Sequence, residues 1–198
     1  MQTGGLVNFA PSDWMDQADQ QAAYREGAMS TIHQERRLVV QIRWMIRRDM
    51  PQVAWIEHLS QEFPWCEEEF VRCLRQRNCI GMVAEHREHV VGFLVYELLN
   101  SRLHLLNMAV HPDYRRRGIG TQLVQKIVSK LSQHRRDRIT IAVRESNLPA
   151  QLFFRACGFR ATRVLRRHFP DTDEDAYWFE YRLAGERALF RDSTAHAA

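Results

Sequence analysis

A chain of 198 residues with 45% hydrophobic and 26% charged side chains suffices for one ordinary domain, is too short for two, and is neither fibrous nor wholly disordered in composition. The formal net charge of +4, an arginine surplus, admits a phosphate-bearing ligand, an acidic substrate, a nucleic acid or a merely solvated face. No apolar run approaches the ~20 residues of a membrane span and no basic-then-apolar leader opens the sequence, so a cytoplasmic protein without a membrane partner is expected.

Residues 1–37, rich in Gln, Asp, Ala and Gly, read as a mobile extension with one short helix around Trp14 to Glu26. A domain is expected over 38–184 and a flexible polar tail over 185–198. Val39, Val40, Ile42 and Met45 suggest a first strand. Asp49 before Met50-Pro51 reads as an N-cap with proline in the first turn of a helix running towards Leu59. Acidic residues from Glu67 open a second helix that should end near Asn78. Cys79 to Glu85 and Val90 to Leu99, joined by His86 to His89, read as a hairpin. Leu103 to Val110 is the next strand, stopped by His111-Pro112-Asp113. Beyond the loop Tyr114 to Gly120, apolar residues recur every four positions at Ile119, Leu123, Ile127 and Leu131, an amphipathic helix. Arg138 to Val143 is a buried-looking strand. Asn147 caps a helix that Gly158 closes, and Phe159 to Arg167 and Ala176 to Leu183 supply two last strands.

The four cysteines, Cys66, Cys73, Cys79 and Cys157, form no CxxC pair and no Cys/His grouping at zinc spacing, so they read as reduced, half-buried thiols and no metal is expected. Trp44, Trp55, Trp65 and Trp178 read as core or groove wall. Gly118 and Gly120 stand where a strand-ending loop meets a helix, where free backbone N–H groups and the positive helix end make an anion site. Arg115, Arg116 and Arg117 add guanidinium forks suited to phosphate. The spacing is neither GxGxxG nor a GK[ST] loop, which disfavours dinucleotide binding and ATP hydrolysis. No RNA- or DNA-binding motif accompanies the arginines, so a nucleic-acid partner is not expected.

Arg115 to Gly120 resembles the R/Q-x-x-G-x-G/A pyrophosphate loop of the GNAT acetyltransferases, between the strand and the helix that family requires. Val143-Arg144-Glu145-Ser146-Asn147, then Ala150, Phe154 and Gly158-Phe159, resembles its V-x-x-x-N...A...Y...GF segment. Phe63-Pro64-Trp65, Asn107 to Val110, Arg166 to Pro170 and Asp175-Ala176 look like the RimI subgroup, bacterial enzymes that acetylate the N-terminal alanine of a ribosomal protein. The resemblance implies a single α/β (α+β) GNAT domain, with a mixed, mostly antiparallel sheet of about seven strands splayed between strands 4 and 5, and about four helices. It implies acetyl-CoA as cofactor, held by Arg115, Arg116, Arg117, Gly118, Ile119, Gly120 and Thr121 at the pyrophosphate. Met108, Ala109 and Val110 would lie along the pantetheine, and Asn147 and Phe154 beside it. The implied acceptor is a protein or peptide N-terminus such as that of a ribosomal protein.

Two positions depart from that pattern. The glutamate that serves the subgroup as general base aligns with Ala142, and the tyrosine that protonates the leaving thiolate aligns with Phe154. As replacements the sequence offers His104, on the strand beside the expected thioester, where related eukaryotic enzymes carry a tyrosine, and Tyr177 as a proton donor. Three functions stay open: N-terminal acetylation, the same chemistry on lysine or a small amine, and a silent acetyl-CoA-binding module.

Overall fold

In the computed structural model, which describes residues 37–132 and 135–183, seven strands form one mixed sheet in the order β1-β2-β3-β4-β5-β7-β6. The strands are β1 (Gln41–Trp44), β2 (Cys79–His86), β3 (His89–Leu98), β4 (Arg102–Val110), β5 (Arg138–Arg144), β6 (Arg160–Phe169) and β7 (Glu174–Arg182). Four α-helices accompany them: α1 (Met50–Ser60), α2 (Glu67–Leu74), α3 (Ile119–Val128) and α4 (Leu148–Ala156). Apart from Arg37, the expected N-terminal extension and its short helix lie outside the described residues, as does the expected tail over 185–198.

Local chemistry accounts for most boundaries. Asn147 accepts the Ala150 N–H at 3.1 Å as the cap of α4, with Pro149 in the first turn, and Gly158 leaves that helix at φ +88°, a conformation costly to any side chain. The connection between β2 and β3 is tighter than its four polar residues suggest. His86 pairs with His89, leaving a two-residue turn in which Arg87 (φ 48°) and Glu88 (φ 66°) are both left-handed, the twist that antiparallel strands prefer.

Several expectations are corrected. Asp49 precedes α1, but its side chain does not cap that helix. Its carboxylate is buried and takes two bonds from Arg43, at 2.6 and 2.9 Å, and the Ile46 N–H at 2.9 Å, because a guanidinium fork outcompetes a single helix amide. The second helix ends at Leu74, well before Asn78, and the amphipathic helix stops at Val128, before Leu131. Cys73 and Cys79 are not free thiols. The turn after α2 brings their Cα atoms to 6.2 Å, and they form a disulfide, while Cys66 and Cys157 remain thiols. Trp44 and Trp55 are exposed, Trp44 lying under Lys130 and Trp55 against His58, whereas Trp65 is half-buried and Trp178 buried.

The sheet is covered on both faces. Met50, Val53 and Ile56 of α1 and Phe70 of α2 pack with Val83, Phe93 and Val95, and Trp65, Phe70 and Phe93 meet edge to face in series. Ile119, Leu123, Val124 and Ile127 of α3 bury the apolar stripe that the four-residue period marks out. β3, sandwiched between these layers, is buried from Val90 to Tyr96 and reads as a continuous apolar run.

Arg43 also donates to Glu85 at 2.7 Å, so one guanidinium joins β1, β2 and the turn into α1. It holds Asp49 below the usual carboxylate range, so that stabilisation is complete above ~3.9, where an unfolded aspartate titrates, and is lost as pH falls through the lower folded value. Replacing Arg43 by Met strands a buried carboxylate. Urea titration of Arg43→Met at pH 7 is expected to show a loss of about 3 kcal/mol, with a shallower decline of stability below pH 4 than in the parent.

Candidate active site

The opening in the sheet starts from three residue pairs. β4 and β5 run parallel and are paired at Arg102 with Arg138, Leu103 with Ile139 and His104 with Thr140. Beyond them β4 continues against β3 to Val110, while β5 follows β7 to Arg144. The two strands diverge, and a cavity of about 720 Å³ occupies that side of the molecule. Its walls are the α1–α2 loop from Gln61 to Trp65, Leu106 to Met108 of β4, Ile141 to Arg144 of β5, the start of α4 with Phe154, and the β6–β7 turn at Phe169 to Asp171.

The expected cofactor residues fall in two groups. Met108, Asn147 and Phe154 line the cavity, with Phe154 packed edge-on between Phe153 and Phe159. Ala109 is buried, and Val110 ends β4 with its carbonyl accepting the Arg115 Nε–H at 3.1 Å. The other group is the loop into α3. Gly118 precedes the helix at φ +75°, and among the described residues the backbone N–H groups of Arg116 to Thr121 have no backbone acceptor. Arg115, Arg116 and Arg117 are exposed, with Arg117 over the Tyr114 ring. The Ile119 side chain is buried, so it offers the site its backbone alone. Gly120 is needed for packing as well as for any phosphate: a Cβ there would lie 3.1 Å from the Phe153 ring and 3.5 Å from Met108 Cε.

His104 and Tyr177 do not line the cavity. His104 closes the narrow end of the opening, where Nδ1 bonds Thr140 Oγ1 at 3.0 Å and the ring stacks on Trp178. Burial holds its pKa below the usual imidazole value. Tyr177, on β7, lies between Val143 of β5 and Val164 of β6. Ala142 and Phe154, the two positions at which the sequence departs from the resembled pattern, do line the cavity.

Two features were not singled out in the sequence. Arg144 is clamped at the mouth: its guanidinium lies 3.9 Å from the Phe169 ring centre and 4.6 Å from that of Phe63, and it is engaged by Asp171 and Glu174. The β6–β7 turn and the α1–α2 loop are thereby joined across the cavity. The second feature is Glu57, on the buried face of α1 and 1% exposed. Its Oε1 accepts the Trp65 N–H at 3.0 Å and an Asn107 Nδ2–H at 2.8 Å, while Oε2 is buried without a partner among the described residues. Burial pushes this carboxyl above its usual range, against those two hydrogen bonds. A sequence signal existed. Glu57 falls four residues after Val53 and seven after Met50, on the apolar stripe of α1, where a carboxylate is out of place.

The acetyltransferase (GNAT) family profile matches residues 39–159. The [ribosomal protein bS18]-alanine N-acetyltransferase of Escherichia coli (strain K12) is 28% identical over 130 residues, 65% of this chain and 87% of that protein. An N-alpha-acetyltransferase of Sulfurisphaera tokodaii is 30% identical over 142 residues, covering 65% and 84%. The crystal structure of the ribosomal-protein-S18-alanine N-acetyltransferase from Escherichia coli superposes with a TM-score of 0.66 at 26% identity, over 75% of this chain and 97% of that one. The profile runs unbroken from before β1 to the residue before β6, through the opened strands and the loop between them, and so the chain belongs to the acetyltransferase (GNAT) family.

Proposed function

We propose that the protein transfers an acetyl group from acetyl-CoA to the α-amine of a protein N-terminus by direct attack in a ternary complex, and that it does so in the cytoplasm. The observation that carries this reading is the contrast between the two ends of one opening. At one end stand six successive backbone N–H groups without backbone acceptors among the described residues, beside three exposed arginines. At the other, the cavity is lined by Glu57, Glu62, Glu69 and Asp171, against Arg144 as its single Lys or Arg, already engaged by Asp171 and Glu174. The first suits a pyrophosphate and the second an ammonium ion.

The residues present fit acetyl-CoA. The unpaired amides of Arg116 to Thr121 would take the phosphates, and the β4 edge from Leu106 to Val110, which β5 has left, would take the amides of the pantetheine arm. Bound there, acetyl-CoA supplies an activated acyl thioester. The cavity then has to admit an amine, bring it to the β4 edge and remove a proton. A peptide α-amine has a pKa near ~8 against ~10.4 for lysine, so an appreciable fraction is neutral at pH 7 and a modest base suffices. The relatives whose names describe alanine and α-amine acetylation support the same acceptor class. The absent carboxylate at Ala142 and hydroxyl at Phe154 favour one rival, a module that binds acetyl-CoA and leaves it intact.

Acetylation of a panel of peptides with different first residues, set against an internal lysine, is expected to label the N-termini. Labelling of lysine alone would reverse the acceptor, and no labelling would favour the silent module. Gly118→Val, strained at φ +75°, and Gly120→Leu, driven into Phe153, are each expected to weaken acetyl-CoA binding at least about tenfold by calorimetry. Unchanged affinity in both would displace the cofactor from this loop. Glu62→Lys is expected to raise the peptide KM about fivefold at low salt, without changing acetyl-CoA affinity, and the difference should shrink as salt is added.

A further inference from the structure

Glu57 is a costly residue to keep for packing alone. Among the described residues no cation lies beside it in the cavity wall where it is buried, and one of its carboxylate oxygens has no donor. A buried polar atom left unpartnered costs roughly 1 to 3 kcal/mol and more when charged, so such atoms call for an explanation. The tie from Oε1 to Asn107 and Trp65 accounts for half of the carboxyl group: it fixes the α1–α2 loop to β4 and sets the orientation of the side chain. Oε2 has no such role. The residue after Asn107 is Met108, at the cavity edge of β4, and the wall opposite, formed by Ala142 and Phe154, has no titratable side chain.

We propose that Glu57 is the general base of the transfer, taking over the role that a carboxylate at position 142 would have had. This rests on the transferase reading above. Glu57 lines the cavity but Oε2 itself has no exposed surface, so a small displacement of the side chain has to admit one water, through which the proton then passes. The ammonium form of the acceptor gives one proton to Glu57. The nitrogen lone pair then attacks the thioester carbonyl carbon, the C–N bond forms and the carbonyl π pair moves to oxygen. As the carbonyl re-forms, the C–S bond breaks and sulfur leaves with its electron pair. The second nitrogen proton passes to that thiolate, and Glu57 returns its own proton to solvent. The sum is amide, thiol and one released proton.

The surroundings suit the task. Glu69 of α2 is the charged neighbour acting on Glu57, and it adds to burial in raising the carboxyl, while the Trp65 N–H and Asn107 oppose them. Glu62 and Asp171 are the other carboxylates on the cavity wall, and Arg144 is held by Asp171 and Glu174. A base displaced upward from the ordinary carboxylate range is better matched to an amine that titrates near ~8 than an exposed glutamate would be. His104, the other candidate, has Nδ1 engaged by Thr140 and lies outside the cavity wall.

Glu57→Gln keeps an acceptor oxygen for Trp65 and Asn107, and replaces Oε2 by an uncharged, non-basic NH2 group of the same size. With the full-length protein, acetyl-CoA and an N-terminal alanine peptide, this variant is expected to lose about 100-fold or more in kcat with acetyl-CoA affinity unchanged. Its pH profile should lack the acid limb expected of the parent. Ala142→Glu added to Glu57→Gln should restore turnover at least about tenfold, and should gain far less when added to the parent. A folded Glu57→Gln protein with the parent's kcat and pH profile overturns the proposal, as does a larger kcat loss in His104→Ala than in Glu57→Gln. If Glu57→Gln does not fold, Ala142→Glu in the parent decides alone, since a gain of about 100-fold there means that the cavity had no working base. Absence of transfer by the parent on any amine, with acetyl-CoA still bound, overturns the transferase reading itself and the base with it.

Discussion

Everything at the site depends on two parallel strands staying paired for only three residues. A backbone edge that leaves a ladder inside a protein carries donors and acceptors that must find other partners. Here β4 and β5 part after His104 and Thr140, and each keeps its other neighbour, β3 for one and β7 for the other. The divergence therefore leaves the core intact. It exposes the inner edge of β4 from Leu105 onward, where an amide-bearing chain can complete the ladder, and it sets the width of the cavity between Met108 and Ala142. The His104 bonds to Thr140 and the stack on Trp178 lie at the apex, so the point of parting is fixed by side chains as well as by register.

The second constraint is charge. A transferase that brings together an anionic cofactor and a cationic amine has to separate them by field before contact does so, and this opening is graded accordingly. The arginine loop and helix end lie beyond Val110. The carboxylates lie on the α1–α2 side and at the β6–β7 turn, and the guanidinium placed among them is neutralised where it sits. Arg144 acts less as a charge than as a plate between Phe63 and Phe169, holding two otherwise independent loops at one spacing.

The sheet was largely legible in the sequence because its signals are local. Pro112 after β4, Asn147 and Gly158 around α4, and the four-residue period of α3 each act within a few residues of where they stand. The strand, loop and helix around Gly118 and Gly120 were legible for the same reason, since they are consecutive. What was not legible depends on long-range geometry. Asp49 looks like a helix cap until Arg43 arrives from β1 to claim it. The Cys73–Cys79 bond depends on how sharply the chain turns after α2, which a six-residue spacing does not disclose. Trp44 and Trp55 were read as core or groove wall on residue type alone, yet both are exposed. Glu57 is the instructive omission. Its misfit on an apolar stripe could be read from sequence, but its meaning required Asn107, fifty positions away, and an empty opposite wall.

An acetyltransferase without a carboxylate at position 142, where the resembled RimI subgroup has one, can lose the reaction or move the base, and the wall opposite Ala142 bears on which. The attack needs a proton acceptor near the amine but does not require it to sit on one particular strand, because the opening is narrow enough for α1, β4 and β5 to share one cavity. A base on β5 would be set by the rigid β5–β7 ladder, whereas one on α1 is set by helix packing and by two hydrogen bonds that reach across to β4 and the next loop. The latter arrangement links proton transfer to the placement of the α1–α2 loop, which is part of the cavity wall. On the proposed N-terminal acceptor, a base positioned in this way would act best when that acceptor is seated against Phe63 to Trp65, which would make discrimination among N-termini a property of kcat as well as of binding.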